Sequence, residues 1–319
     1  MTSKPIPPGA PRVGDRYVNP NGATAHVPLR MALGFFVRRI WGSVVPRAGG
    51  APRVDYDPVA IMHEPGITWI GHSTFLVRTD GVTFLTDPMF AKRASPFSFM
   101  GPARAVPPGI PFEDVPPVDF VLLSHDHYDH ADIATVKRLA RGGVRFIVPL
   151  GMRAWVERAG GQAAELDWWQ SITVGDVRID CVPAQHFSGR SFRDRGLRLW
   201  AGWVVSGPTR RFYYAGDTAY TPDLATIGER LGPFDLAAVP IGAYRPAEIM
   251  RPVHTTPEEA VRVMEEVRAA KGVAMHYGTF DLADEPLDEP PARFRAEARR
   301  LGWFEDRAWV MKVGETRRW

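Results

Sequence analysis

The chain has 319 residues, 45% of them hydrophobic, enough for a substantial core and too apolar for a disordered or fibrous protein. Its formal net charge of +3 admits anionic substrates but is too small to mark a nucleic-acid-binding surface, so no nucleic-acid partner is expected. The single cysteine, Cys181, excludes an intramolecular disulfide, leaves any metal site to histidine and carboxylate, and points to a reducing, cytoplasmic setting.

Residues 1–22 are rich in Pro and Gly without an apolar period and read as an extended or poorly ordered arm. Residues 27–47 are apolar and basic together. Arg38 and Arg39 interrupt that run, leaving it too short to span a bilayer and without a secretory cleavage site. Leu33, Phe36, Val37, Ile40 and Trp41 fall at helical spacing, which suits either a helix lying in a membrane interface or one packed on a domain. From Thr68, TWIGHSTFLV and VTFLTDP around an Asp80-Gly81 turn read as a hairpin of two strands. Then follow the strand VDFVLLS, a helix over 133–140, the strand VRFIVPL and a helix over 152–159. SITVGDVRIDCVPAQ reads as a hairpin, LRLWAGWVVS and RRFYYAGD as a further pair, and FDLAAVPIG as a buried strand. Thr256 and Glu259 form a capping box for a helix over 257–270 that Gly272 should stop. VAMHYG is a short strand, followed by a helix near 293–301 and a strand near 309–313. Many strands with interspersed helices in two halves predict two packed sheets covered by helices on both outer faces.

The stretch VLLSHDHYDH carries the chemistry. The apolar run ends in His125, His127, Asp129 and His130, so ligand-type side chains sit where a buried strand stops. In extended backbone His125 and His127 project to the same side, their Cα atoms about 6.6 Å apart, and can share one metal. Asp129 and His130 follow at the turn and can aim an oxygen and a nitrogen at a second ion. Four residues would leave two ions under-coordinated, and the sequence supplies three more candidates at strand ends: His186, Asp217 and His276.

HDHYDH, then PAQHF, AGDT and HYGTF, together resemble the metallo-β-lactamase superfamily from Thr68 to Glu315. Within it, WIGHSTFLV, FLTDPMFAKRASPFSFMGPAR and RPVHTTPEEAVRV are similar to the N-acyl-phosphatidylethanolamine-hydrolysing phospholipase D family. The resemblance implies an α+β fold, a four-layer αβ/βα sandwich, with residues 1–60 as an N-terminal arm and 61–319 as the catalytic domain. It implies a di-zinc centre, with iron or manganese as alternatives, in which His125, His127 and His186 hold one ion, Asp129, His130 and His276 the other, and Asp217 bridges them. Asp129, Asp217 and His254 stand as catalytic candidates, His254 by helping the leaving group or anchoring phosphate. Asp87 is expected to accept a hydrogen bond from a ligating histidine and fix its tautomer. His72 either lines the same pocket or satisfies a turn.

The implied reaction is hydrolysis of N-acyl-phosphatidylethanolamine to phosphatidic acid and N-acylethanolamine by a hydroxide bridging two metals, with a phospholipid or other phosphodiester as partner and peripheral membrane contact. Lactone opening, cleavage of small phosphodiesters, and non-catalytic metal-dependent binding are the alternatives. Arg190, Arg193, Arg195 and Arg198, with Tyr244, Arg245 and Arg251, lie on loops that can clamp an anionic head group. The chain departs from the family in carrying Phe187 and Tyr277 where tryptophan is usual, which bears on pocket shape.

Overall fold

In the computed structural model, residues 7–24, 49–191 and 193–319 are described; the helix expected within 27–47, interfacial or packed on the domain, lies outside them. The strands are β1 (Arg12–Val13), β2 (Arg16–Tyr17), β3 (Gly66–Gly71), β4 (Thr74–Thr79), β5 (Val82–Thr86), β6 (Phe120–Leu122), β7 (Arg145–Pro149), β8 (Gln162–Leu166), β9 (Ser171–Val174), β10 (Val177–Val182), β11 (Gly202–Ser206), β12 (Arg211–Tyr214), β13 (Phe234–Pro240), β14 (Ala269–Met275), β15 (Ala308–Trp309) and β16 (Thr316–Arg318).

Strands buried on both faces require covering layers on both sides, and this chain supplies them. One seven-stranded sheet has the order β16-β3-β4-β5-β6-β7-β8 and the other β15-β14-β13-β12-β11-β10-β9. Along the first sheet, Phe75, Val77, Phe84, Phe120, Leu122 and Ile147 point inward to the second, where Phe84 meets Phe212 at 6.0 Å between ring centroids. The alternate residues Leu76, Leu85, Val121, Phe146 and Val148 point outward and are covered by the helices Ile133–Arg141 and Arg153–Arg158 through Val136, Leu139, Trp155 and Val156. On the far side the helix Pro257–Glu266 packs on β13 and β14, flanked by the helices Asp223–Arg230 and Glu289–Arg300. The αβ/βα sandwich expected from the sequence is the fold that forms.

Both sheets have an antiparallel half and a parallel half, the parallel pairs being β5-β6-β7-β8 and β12-β13-β14-β15. In the first sheet β3, β5 and β6 run in one direction, and in the second β10, β12, β13 and β14 do. Their C-terminal ends therefore lie together, and the loops that follow them are placed to share one site.

Some sequence expectations are corrected. TWIGHSTFLV is two strands, β3 and β4, because the chain reverses at Gly71-His72 (φ 128° and 54°) inside a continuously buried run. The capped helix ends at Glu266, not at 270, and Gly272 lies within β14. There it permits close packing: a Cβ would stand 2.3 Å from Met264 Sδ. The capping box itself forms, with Glu259 N–H to Thr256 Oγ1 at 3.2 Å and Thr256 N–H to Glu259 Oε2 at 2.9 Å. β8, β16 and the helix Asp223–Arg230 carried no signal strong enough to read. Residues 12–17, expected in an extended or poorly ordered arm, pair as a short antiparallel ladder that docks by Tyr17 N–H to Gly196 O at 2.8 Å.

Gly228, in the middle of the helix Asp223–Arg230, tests whether packing or propensity governs that helix. Alanine there gains about 1 kcal/mol in helix propensity. Its Cβ, however, would sit 2.1 Å from the carbonyl oxygen of Glu266 and 2.9 Å from backbone atoms of Val267. Gly228→Ala is expected to lower stability by about 1–3 kcal/mol in urea unfolding, since the obstacle is backbone.

Candidate metal centre

His125 and His127 project together from the end of β6, with His125 Nε2 2.8 Å from His127 Nδ1, and His186, beyond β10, brings Nε2 to 3.2 Å from the same atom. A second group gathers Asp129, His130 and His276, whose nitrogens lie 3.3 and 3.4 Å from Asp129 Oδ2, together with His72 at 2.9 Å. Asp217, after β12, stands between the two. Its Oδ2 is 3.0 Å from His276 Nε2, 3.2 Å from His130 Nε2, 3.8 Å from His186 Nε2 and 4.0 Å from His125 Nε2. Each group offers ligand atoms within 4.8 Å of one another.

The surroundings fix which nitrogen faces inward. Asp87 accepts from His130 Nδ1 at 2.6 Å, from Ser124 N–H at 2.7 Å, from Ser124 Oγ at 2.5 Å and from Tyr214 Oη at 2.6 Å. Because the Ser124 hydroxyl donates to Asp87, its oxygen is left to accept from His125 Nδ1 at 2.9 Å. His186 Nδ1 donates to the Val253 carbonyl at 2.9 Å. All three rings thus turn Nε2 toward the centre, the arrangement that outer hydrogen bonds impose on ligating histidines. Asp87, expected beside a ligating histidine, contacts His130 Nδ1, and His72 is buried with Nε2 2.9 Å from Asp129 Oδ2. His254 lies with Nδ1 4.0 Å from Asp217 Oδ2, its ring against those of His186 and His276. His72, Asp87 and His276 adopt positive φ (54°, 34° and 60°) although none is glycine, a strain of about 1–3 kcal/mol each that clusters at this edge.

Burial and mutual charge divide the titrating groups. Burial pushes His125 and His186 well below the ordinary imidazole value of 6.5, His72 to about 3 and His254 to about 4. Burial also opposes charge on His130 and His276. There it is outweighed by Asp217 and Asp129, so that His130 rises well above 6.5 and His276 to about 9. The same pairing overcomes burial at Asp129 and Asp217, whose carboxyls lie well below 3.8.

Not every expected residue reaches the centre. Arg198 pairs with Asp126 and Asp194, while Arg190 Nη1 donates to the carbonyls of Asp126 and Ala131 at 2.8 and 2.9 Å, so both brace the loop from within. Arg245 and Arg251 pair with Glu289 and Glu259 at 3.0 and 3.5 Å. Phe187 lies on the ring of His127 at 4.6 Å, whereas Tyr277 stacks on Trp69 at 4.9 Å and donates to the Met311 carbonyl, away from the metal ligands. Asp126, buried between the first two histidines, accepts from Gly189 N–H at 2.7 Å and was missed; a carboxylate between two ligands that face the other way was its signal. Ser124 and Tyr214 were missed too, the latter because only the fold brings it here.

Several buried polar atoms of the cluster are unpaired. Nε2 of His130 and of His276, Nδ1 of His72 and of His254, and Oδ1 of Asp217 have no hydrogen-bond partner among protein groups. Unmatched imidazole nitrogens and carboxylate oxygens within a few Å are the donor set of zinc and similar divalent cations, and the residues fit two of them.

A helix-flanked double sheet with a two-group His/Asp cluster on the strand-end edge defines a class of metalloprotein fold. Residues 83–277 match the model described as the beta-lactamase superfamily domain, and the chain belongs to the metallo-β-lactamase superfamily. It is 45% identical over 240 residues to an N-acyl-phosphatidylethanolamine-hydrolyzing phospholipase D 1 of Caenorhabditis elegans, covering 70% of this chain and 67% of that one. The mitochondrial N-acyl-phosphatidylethanolamine-hydrolyzing phospholipase D of Saccharomyces cerevisiae is 32% identical over 258 residues, covering 78% of this chain and 55% of the yeast protein. In fold the chain is similar to an isothiocyanate hydrolase from Delia radicum gut bacteria, with a TM-score of 0.64 and 23% identity over 80% of this chain and 99% of that one.

Two outcomes follow. Asp87→Ala strands four buried donors at about 1–3 kcal/mol each and is expected to cut metal affinity about 10- to 100-fold, read by competition with a chromophoric chelator. The metal-free protein should be most stable near pH 6.5. The stability that His130 and His276 contribute by binding protons is lost as pH rises, for His276 through about 9; protonation of His72, His125, His186 and His254 in the unfolded chain draws stability down as pH falls. Unfolding midpoints across pH 5 to about 10 check this.

Proposed function

We propose that this chain is a metal-dependent phosphodiesterase that hydrolyses N-acyl-phosphatidylethanolamine to phosphatidic acid and N-acylethanolamine. The observation that carries the reading is Asp217 Oδ2 between two ligand groups, in a chain that is 45% identical over 240 residues to a protein named for that reaction. His125, His127 and His186 would hold one cation, Asp129, His130 and His276 the other, and Asp217 both. Bound there, divalent cations supply charge that lowers the pKa of an adjacent water toward about 7 and polarises a phosphoryl oxygen. Zinc suits the nitrogen and oxygen donors, and iron or manganese would also bind.

The chain's own residues do the rest. Asp87 and the Val253 carbonyl hold the imidazoles in one tautomer, so no ligand must reorient during turnover. His254, held neutral at pH 7, offers a hydrogen bond to the phosphate or the departing oxygen. Water attacks phosphorus, the bond from phosphorus to the ethanolamine oxygen breaks, and a proton passes to the departing N-acylethanolamine. The lipid would be met by peripheral contact; no helix of the described residues is long and apolar enough to cross a membrane.

The test offers the purified protein vesicles of N-acylated and unmodified phosphatidylethanolamine, with bis-p-nitrophenyl phosphate and an acyl-homoserine lactone alongside. Mass spectrometry should find phosphatidic acid and N-acylethanolamine from the N-acylated lipid. Asp217→Asn should lower that rate by more than the about 10- to 100-fold typical of outer positions. Turnover of the lactone or small diester with no lipid product would overturn the substrate, and no hydrolysis of any compound by the metal-loaded protein would overturn the enzyme.

A further inference from the structure

His186 lies beyond the last ladder pair of β10 and β11, Val182 with Gly202, so no strand partner holds its backbone. A segment that precedes the family-matched residues 83–277 does so instead. That segment is pinned at Ala10, whose N–H donates to Asp167 Oδ1 at 3.0 Å, and at Arg16, whose guanidinium donates to the carbonyls of Arg193 and Arg195. Past Tyr17 it turns, Gly22 N–H meeting Asn19 O at 2.9 Å, and the Asn19 side chain is driven inward to 5% exposure. Asn19 Nδ2 donates to the His186 carbonyl at 2.9 Å and to that of Ala23 at 2.7 Å. Asn21 Nδ2 donates to Gln185 Oε1 at 2.7 Å, and Gln185 Nε2 passes the connection to the Pro252 carbonyl at 3.0 Å, next to the residue that orients the His186 ring.

We infer that Asn19 is a positioning residue for one half of the metal centre: with Val253 it brackets His186, Asn19 fixing the backbone and Val253 the ring. A buried amide that spends both N–H groups on carbonyls, one of them that of His186, sets where the imidazole begins. Among the described residues, the segment's hydrogen bonds to candidate ligands reach His186 and not Asp129, His130 or His276. Its loss should therefore weaken one cation and spare the other. The inference rests on assigning His125, His127 and His186 to a single ion.

The experiment titrates the metal-free full chain with Co²⁺, following visible absorption and heat, for the parent, Asn19→Asp, Asn19→Ser and Asn21→Ala. Aspartate keeps the shape of asparagine but cannot donate to the carbonyl; serine keeps a small polar group should aspartate fail to fold. The expected result is two binding steps in the parent. In the Asn19 variants one step is weakened about 10- to 100-fold and the other is unchanged, although the metal-free protein loses some stability through the carbonyls left without a donor, and in Asn21→Ala the loss is smaller. Parent-like titration of the Asn19 variants overturns the inference alone, as does parallel weakening of both steps with a lowered midpoint, the mark of general destabilisation. A parent that binds no Co²⁺ overturns this inference and the metal-dependent reading together.

Discussion

Five imidazole nitrogens lie within 4.0 Å of one carboxylate oxygen of Asp217 among the described residues, almost wholly out of water. Such a cluster is costly to bury, because dehydrated carboxylates and imidazoles with unmatched nitrogens must be satisfied by one another or by a bound cation. The rest of the molecule can be understood as the means of keeping it assembled. Two sheets present their strand ends at a common edge, and Asp87, Ser124 and Tyr214 link them across the interface, so the inter-sheet core and the site constrain each other.

The division of labour between layers is clear in β6. Phe120 and Leu122 enter the core between the sheets, Val121 and Leu123 lie under helices, and Ser124 turns the same alternation over to polar work before His125. Trp203 from the other sheet donates to the Leu123 carbonyl at 2.9 Å, clamping the strand just where its side chains change from packing to ligation. Stability and chemistry are therefore adjacent along one strand, and disturbance of the core near Leu123 would reach the centre through backbone.

The arginines show why local sequence misleads about substrate contacts. Arg190 and Arg198, close after His186, look like an anion clamp, yet Arg198 neutralises the buried Asp126 and Arg190 stacks on Tyr128 at 3.9 Å. A charged loop beside a metal site needs its own internal partners before it can offer any to a ligand. The N-terminal segment makes the opposite point: rich in Pro and Gly, it read as an extended or poorly ordered arm, and its buried Asn19 donates to the carbonyl of His186, a candidate ligand.

By itself the sequence determined the fold class and the candidate ligands, because both are local signals: period-2 burial defines strands, and His125, His127, Asp129 and His130 interrupt that pattern at its end, as do His186, Asp217 and His276 in their own strands. Even His72 and Asp87 were within reach as neighbours of a turn and a strand end. The family resemblance already implied Asp217 between the two groups; only the tertiary structure decided that Tyr214 and Ser124 share Asp87, and that the Asn19 amide meets the His186 carbonyl. These are contacts between residues far apart in the chain, fixed by which strands pair and how two sheets stack, and no short-range periodicity carries that information.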